Sequence, residues 1–309
     1  MSETALIAID WGTSNARVYR FDGAGRLLGS RKAPLGIKQV RNGRFDLALA
    51  QLLGDWRADS VPLIACGMVG SRQGWIEAPY VDCPASLVAL ADRVVQTRLE
   101  RLTIVPGIAT VDAAGVPDVM RGEETQLLGA VNAGEHAVLA VLPGTHSKWA
   151  RVDHGRVVDF TTFMTGELYA LLIEHSMLGR LAEGSPGAPA QESFSAGVAR
   201  GLAAGALAHD IFGARTLALA GTLAPDDVAD WLSGLLIGRE IRAAREWARR
   251  AGADPGSVRI IGDGTLPERY AQALADAGIL TETGQPDAAA HGLWRIALHA
   301  GLVTALQPT

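Results

Sequence analysis

The chain has 309 residues, a length that suits roughly two domains, and its 48% hydrophobic content is enough for a sizeable core. Thirty-six glycines beside only 6% aromatics fit an α/β protein with many tight strand-to-helix turns. A formal net charge of −5 with no basic stripe argues against nucleic acid as a partner, and no run of 18 apolar residues predicts a membrane span.

Ala5 to Asp10 reads as a short buried strand, and Ala16 to Phe21 as a second. Asp22-Gly23-Ala24-Gly25 turns the chain into a third strand over Arg26 to Lys32, a hairpin signal. The chain thus opens as three consecutive strands, not as strand-helix-strand. A helix is predicted at Phe45 to Trp56, a strand at Pro62 to Cys66, a glycine-punctuated loop at 67–71, a helix at Ser86 to Leu99 and a strand at Leu102 to Pro106. Gly122 to Ala133 reads as a helix with the acidic first turn that the helix dipole favours.

The pattern then restarts. Ala137 to Leu142 is an apolar strand, 143–148 a polar glycine turn, Trp149 to Val152 a strand, Asp153-His154-Gly155 a turn and Arg156 to Phe160 a strand. This is an internal duplication, and it predicts two like-folded domains, 1–133 and 134–309, with the last helix packing back on the first. Helices follow at Glu167 to Leu178, Ser193 to Ile211 and, most clearly, Asp226 to Arg250, where Val228, Trp231, Leu232, Leu235, Leu236, Ile241 and Trp247 recur at helical spacing. That spacing makes Trp231 and Trp247 core residues. Val258 to Ile261 is a strand, and Leu266 to Ala277 and Ala288 to Leu306 are helices. Residues 184–189 are the candidate for a mobile loop. Cys66 and Cys83 are expected as reduced thiols. No signal peptide is apparent at the N-terminus, so a soluble cytoplasmic enzyme is the expectation.

Three turns carry chemistry. In the first, a buried strand ends in Asp10 and is followed by Gly12, Thr13, Ser14 and Asn15, with Arg17 on the outgoing strand. An Asp at a strand end can hold Mg²⁺, Gly12 lets the backbone approach an anion, and the amides and hydroxyls of the turn can donate to phosphate oxygens. The second turn, Gly144, Thr145, His146, Ser147 and Lys148, occupies the same relative place and adds a cation. His146 also has a reading as a structural turn histidine. The third is strand–Gly262-Asp263-Gly264–helix, whose glycines would let an adenosine lie against the backbone. Pro267 stands at the third glycine position of a dinucleotide fingerprint, which excludes that motif. No Gly-x4-Gly-Lys-Ser/Thr, HExxH, CxxC or Gly-x-Ser-x-Gly occurs.

In this order the three turns resemble those of the actin/hexokinase/Hsp70 group. Residues 9–14 (IDWGTS), 66–75 (CGMVGSRQGW), 120–126 (MRGEETQ), 142–148 (LPGTHSK) and 232–238 (LSGLLIG) are similar to the 2-dehydro-3-deoxygalactonokinase family in particular. The resemblance implies two ribonuclease H-like domains facing each other across an ATP cleft. It implies ATP and Mg²⁺ as co-substrates, Asp10 as the metal residue, and phosphorylation of the 6-hydroxyl of 2-dehydro-3-deoxy-D-galactonate. A carboxylate should accept the hydroxyl proton. Residues 121–125 also resemble the Gly-x-Glu-Glu-Ala segment of exopolyphosphatases, which ranks Glu123 first, then Glu124, with Asp118 third by analogy with related sugar kinases. Arg is the natural bidentate partner of a sugar-acid carboxylate. Arg72, with Gln73 and Trp75 beside it, and Arg121 are the candidates, and Glu77 and Tyr80 could meet hydroxyls. The competing readings are an exopolyphosphatase-like phosphohydrolase, a non-catalytic actin-like ATP-binding protein, and a kinase for another 2-oxo-3-deoxy acid such as the gluco epimer. The partner expected is a small sugar acid, and a homodimer is a further expectation.

Overall fold

The computed structural model describes residues 3–57, 60–98, 100–181, 190–253 and 256–304. The candidate mobile loop at 184–189 lies outside them. Two compact units emerge. One comprises Met1–Ala137, Val152–Phe160 and Gln285–Thr309, and the other Val138–Arg151 and Thr161–Gly284.

The first unit is organised by its opening strand. Leu6, Ile7, Ala8 and Ile9 are fully buried, as an unbroken apolar run requires when a sheet is covered on both faces. β1 (Leu6–Trp11) pairs antiparallel with β2 (Ala16–Phe21), and β2 with β3 (Leu27–Ala33). α1 (Phe45–Leu53) follows, and β4 (Leu63–Cys66) then runs parallel beside β1. β5 (Tyr80–Asp82), β6 (Ala85–Ser86), α2 (Leu87–Ala91), β7 (Val95–Gln96), β8 (Thr103–Ile104), β9 (Gly107–Val111), β10 (Pro117–Met120) and α3 (Glu123–Ala130) complete this stretch. The main sheet has the order β3-β2-β1-β4-β8-β7, and β10-β9-β5 form a separate three-stranded sheet. Trp11, Ile9, Val18, Phe45, Leu49, Leu53, Val69 and Ile104 share one core.

In the second unit β11 (Val138–Leu142) is the buried strand. β12 (Ser147–Asp153) and β13 (Arg156–Phe163) follow it, joined by a tight turn at His154 and Gly155. Residues 152–160 of this pair belong to the first unit, where Arg156 and Val157 pair with Ser86 and Ala85 of β6. Then come α4 (Thr165–His175), α5 (Met177–Leu181), α6 (Gln191–Leu202), α7 (Leu207–Leu219), α8 (Val228–Arg250), β14 (Ser257–Ile260), α9 (Thr265–Asp276) and β15 (Leu280–Thr283). The strands run β15-β14-β11-β12-β13, the same order as β8-β4-β1-β2-β3 in the first unit. The chain ends in α10 (Ala288–His299), which packs against α3.

Glycine decides how the long helices meet. Gly197 and Gly201 of α6 face Gly234 and Gly238 of α8, four residues apart on each helix. A Cβ on any of them would run into a backbone carbonyl of the opposite helix, of Trp231, Leu235, Phe194 or Val198. The 232–238 motif therefore has a packing reason: it lets two backbones touch.

Four predicted elements change, the first being the helix over Glu167 to Leu178, which breaks at the extended Ser176 (ψ 171°) into α4 and α5. The helix expected over Ser86 to Leu99 stops at Ala91, because the β-branched Val94-Val95 pair leads into β7, which pairs with β8 through Val95 and Ile104. The helix over Ser193 to Ile211 divides at residues 203–206, where Gly205 lies against the Asp210 carboxylate and a Cβ would be 2.8 Å from it. The last helix ends at His299, ahead of Gly301 in the left-handed conformation (φ 69°). Cys66 and Cys83 are free. Among the described residues no helix is long and apolar enough to cross a membrane.

Candidate active site

The first turn is closed by Gly12 N donating to Asn15 O at 2.9 Å. Its carbonyls are held from one side: Ile37 N donates to Gly12 O (3.0 Å), Lys38 N to Thr13 O (3.1 Å) and Gly36 N to Ser14 O (3.1 Å). Among the described residues the Thr13 and Ser14 amides have no backbone acceptor, and Ser14 and Asn15 are exposed. A turn with tethered carbonyls and available amides is the polarity an anion needs.

Asp10 sits at the end of β1, opposite Arg17 on β2 and beside Cys66 on β4. Burial pushes its carboxyl up to about 6. The neighbouring Glu123 pushes the same way, while Arg17 and a weak Cys66 Sγ–H contact at 3.9 Å oppose. Asp10 and Glu123 are therefore like charges within electrostatic reach.

Two glycines make that approach possible. Gly67, after β4, has φ 91° and ψ −158°, and a Cβ there would lie 2.8 Å from the Trp11 carbonyl oxygen and 3.4 Å from an Asp10 carboxylate oxygen. Gly122, which caps α3, has φ 108°, and its Cβ would lie 3.1 Å from the Gly67 Cα. With no side chain on either, the start of α3 comes down onto the end of β1.

The two glutamates that open α3 then part ways. Glu123 is half-buried, and one of its oxygens accepts from Arg121 N at 3.0 Å. Glu124 is fully buried. Its oxygens accept from Gly122 N at 2.6 Å and from the Thr125 hydroxyl at 2.8 Å. Burial and the charge of Glu123 outweigh those two donors and push the Glu124 carboxyl up to about 8. Asp118 lies apart on β10, where it accepts from Val119 N at 2.8 Å, and it is not among the groups that perturb Asp10.

Arg121 is 8% exposed. Its Nη2 donates to Ala78 O at 2.8 Å and its guanidinium stands over the Tyr80 ring at 4.3 Å, while buried Nε and Nη1 have no partner among the described residues. The Ser71 hydroxyl nearby in the chain of the 67–75 loop is also buried without one. Leaving such donors unpaired costs about 1–3 kcal/mol each, more when charged. The loop itself is tied by Ser71 N to Met68 O and Trp75 N to Val69 O. Arg72 and Gln73 are exposed on it, and Trp75 stacks on Phe45 at 5.9 Å against the core.

In the second unit the turn at 144–148 splits into an outer and an inner part. Thr145 and His146 are exposed, and His146 Nε2 bonds Glu167 Oε2. α4 starts hard against the turn, with Glu167 N donating to Thr145 O at 3.0 Å and Gly166 facing the Gly144 carbonyl. Ser147 and Lys148 point inward. Ser147 Oγ meets Tyr270 Oη at 2.7 Å, Tyr270 donates to Glu240 Oε2 at 2.7 Å, and Trp149 Nε1 donates to Glu240 Oε1 at 2.7 Å. Lys148 Nζ donates to Thr162 Oγ1 at 2.7 Å. Gly262 (φ 145°) and Gly264 (φ 91°) form an exposed passage from β14 into α9.

The structure thus gathers Asp10, Glu123 and Glu124 around Cys66 in one unit, with Arg17 opposite Asp10, and in the other sets Ser147 over the buried Glu240 through Tyr270. Glu240, Tyr270, Cys66 and Thr125 were not picked out by pattern. Glu240 had a signal: it is a charge on the apolar face that Ile237, Ile241 and Ala244 define on α8.

Known proteins place the chain in a family. The model of the 2-keto-3-deoxy-galactonokinase family matches residues 10–296, so it begins at Asp10 and takes in every residue described above. The chain belongs to that family. The 2-dehydro-3-deoxygalactonokinase of Escherichia coli (strain K12) is 38% identical over 277 residues, covering 88% of this chain and 90% of that protein. A crystal structure from Sinorhizobium meliloti, provisionally given the same kinase name, superposes with a TM-score of 0.86 at 37% identity, covering 95% of this chain and 98% of that one. A more distant likeness speaks to the fold alone. The activator of the 2-hydroxyisocaproyl-CoA dehydratase from Clostridium difficile, solved with bound ADPNP, has a TM-score of 0.50 at 10% identity, covering 99% of each chain. For a 2-keto-3-deoxy-galactonokinase, the mixed α/β fold and the Asp10–Glu123 pair together are the features to be explained by chemistry.

Proposed function

We propose that this protein transfers the terminal phosphoryl group of ATP to the 6-hydroxyl of 2-dehydro-3-deoxy-D-galactonate in the cytoplasm. The family match over residues 10–296 carries this reading. In it, the two units are ribonuclease H-like domains with an ATP cleft between them; their matching strand orders support the like fold of the two units.

Phosphoryl transfer is mainly positioning and charge neutralisation. Thr13, Ser14 and Asn15 would donate to one end of the phosphate chain and Thr145 and His146 to the other, with Gly262 and Gly264 under the adenosine. Asp10 suits Mg²⁺, because a half-buried carboxylate beside Glu123, raised to about 6, has charge that a divalent ion would neutralise. When bound, Mg²⁺ supplies charge compensation for the transferring phosphate. Glu123 accepts the proton of the attacking hydroxyl. It is half-buried, and Arg121 N holds one oxygen in place at 3.0 Å. Glu124 is a poor base at neutral pH, since a carboxyl raised to about 8 is mostly protonated there. It holds the start of α3 instead. Arg121, whose Nε and Nη1 are unpaired among the described residues, would meet the substrate carboxylate through single charge-assisted hydrogen bonds from those nitrogens, which lie on different edges of the guanidinium.

The test is ATP consumption with and without a panel of 2-oxo-3-deoxy sugar acids. Turnover that requires the galacto acid is expected. Turnover with the gluco epimer alone would change the substrate, and sugar-independent hydrolysis would favour a phosphohydrolase.

A further inference from the structure

Two segments of the first unit are locked together at one corner, the loop after α3 and the turn between β12 and β13. His154 N donates to Glu135 O at 3.1 Å, and Ala137 N donates to an Asp153 carboxylate oxygen at 3.0 Å. Gly155 lies against Ala133, where a Cβ would be 3.1 Å from the Ala133 Cα. His154 (φ 48°) and Ala137 (φ 50°) both adopt left-handed backbone, which residues with side chains rarely do. At His154 and Gly155 that backbone is the one a two-residue hairpin turn requires, and the bonds to Glu135 and Ala137 fix the turn against the facing loop.

The side chains so placed are His136, Asp153 and His154. The two imidazoles meet edge to face, with centroids 3.8 Å apart and planes at 88°. An Asp153 carboxylate oxygen stands 3.9 Å from His136 Nδ1 and 3.9 Å from His154 Nε2. One ligand atom from each residue lies within 4.8 Å of the other two. At 3.9 Å the carboxylate is too far for hydrogen bonds to the rings. Around a tetrahedral ion with bonds of about 2.0–2.1 Å, ligand atoms stand about 3.3 Å apart. Small rotations of these side chains, 64%, 46% and 59% exposed for His136, Asp153 and His154, close that gap.

We propose that His136, Asp153 and His154 form a binding site for a divalent transition-metal ion, with Zn²⁺ the best fit. Two imidazoles and one carboxylate suit Zn²⁺ and its neighbours, whereas Mg²⁺ and Ca²⁺ prefer all-oxygen sites. Three protein ligands leave the fourth position to water. The bound ion clips the loop that follows α3 to the β12–β13 turn. Arg156 lies close enough to Asp153 to contribute to its electrostatics, so the site is weaker than a closed four-ligand one.

The test uses the full chain without a polyhistidine tag, stripped with a chelator. Calorimetric titration with ZnCl₂ should show one ion per chain, and CoCl₂ should give a visible d–d absorption band. Saturating ZnCl₂ should raise the melting temperature. His136→Ala, Asp153→Asn and His154→Asn should each weaken Zn²⁺ at least tenfold. Asparagine tolerates the left-handed backbone at 154, and at 153 it keeps an acceptor for Ala137 N. Zn²⁺ affinity unchanged in all three folded variants, no saturable binding, or equal binding of Mg²⁺ would overturn the proposal.

Discussion

Gly67→Ala probes the contact on which the site is built. Gly67 has φ 91° and ψ −158°, a region that glycine alone occupies readily, and placing alanine there costs about 1–3 kcal/mol in backbone strain. The new methyl would also lie 2.8 Å from the Trp11 carbonyl oxygen, closer than real Cβ contacts come. Overpacking of that kind typically costs about 1–3 kcal/mol. Taking about 3 kcal/mol for both effects, the melting temperature of a 309-residue chain should fall by roughly 5 °C. The clash also bears on function, because relieving it by a shift of β1 at Trp11 would carry the adjacent Asp10 with it. Displacements of about 1 Å at a reacting centre can lower turnover about 100-fold, so at least a tenfold loss of kcat is expected. The control is Gly134→Ala, where a Cβ has open space and the melting temperature should hold. A Gly67→Ala protein that melts and turns over like the parent would refute the idea that these glycines set the Asp10–Glu123 approach.

Other substitutions separate the neighbouring charges. Glu123→Gln should lower kcat by roughly 10²–10⁴, the usual contribution of a general base, while steady-state kinetics show little change in the KM for ATP. Arg121→Ala should raise the KM for the sugar acid at least tenfold and leave that for ATP alone, and equal effects on both would argue against a carboxylate subsite. Asp10 and Glu124 bind protons more tightly in the fold, with carboxyls raised to about 6 and about 8. Their contribution to stability is therefore full at low pH and is lost as pH rises through those values, with a slope of at most about 1.4 kcal/mol per pH unit per group. Urea titrations of the ligand-free protein at pH 5.5, 7 and 8.5 should show Glu124→Gln flattening that slope, and an unchanged slope would contradict the burial argument.

Much of the fold was legible because it is written in local patterns. The run Leu6 to Ile9, the Asp22–Gly25 turn and the restart at Val138 need only period, length and turn chemistry. α8 announced itself through apolar residues at helical spacing. The three-stranded sheet of β5, β9 and β10 was missed because its strands are short, and β5 and β10 are largely exposed, so little alternation marks them. β15 is fully exposed and has the same problem. At the site, the glycine turns could be located from sequence, but what separates Glu123 from Glu124 could not. Adjacent glutamates look alike in a chain, and only the packing of α3 buries one and leaves the other half-open. Arg121 is similar. Its burial over Tyr80, and its two unpaired nitrogens, come from a contact between distant segments. Ser147 and Lys148 likewise look like phosphate ligands in sequence, yet their side chains reach Tyr270 and Thr162 inside the second unit.

The most direct measurement is ³¹P NMR of the products formed from ATP and 2-dehydro-3-deoxy-D-galactonate with Mg²⁺ present. The account predicts ADP and one phosphomonoester whose phosphorus couples to the two protons of a primary carbon, placing the phosphate on the 6-oxygen. Inorganic phosphate as the sole product, or a phosphate coupled to a secondary carbon, would contradict it.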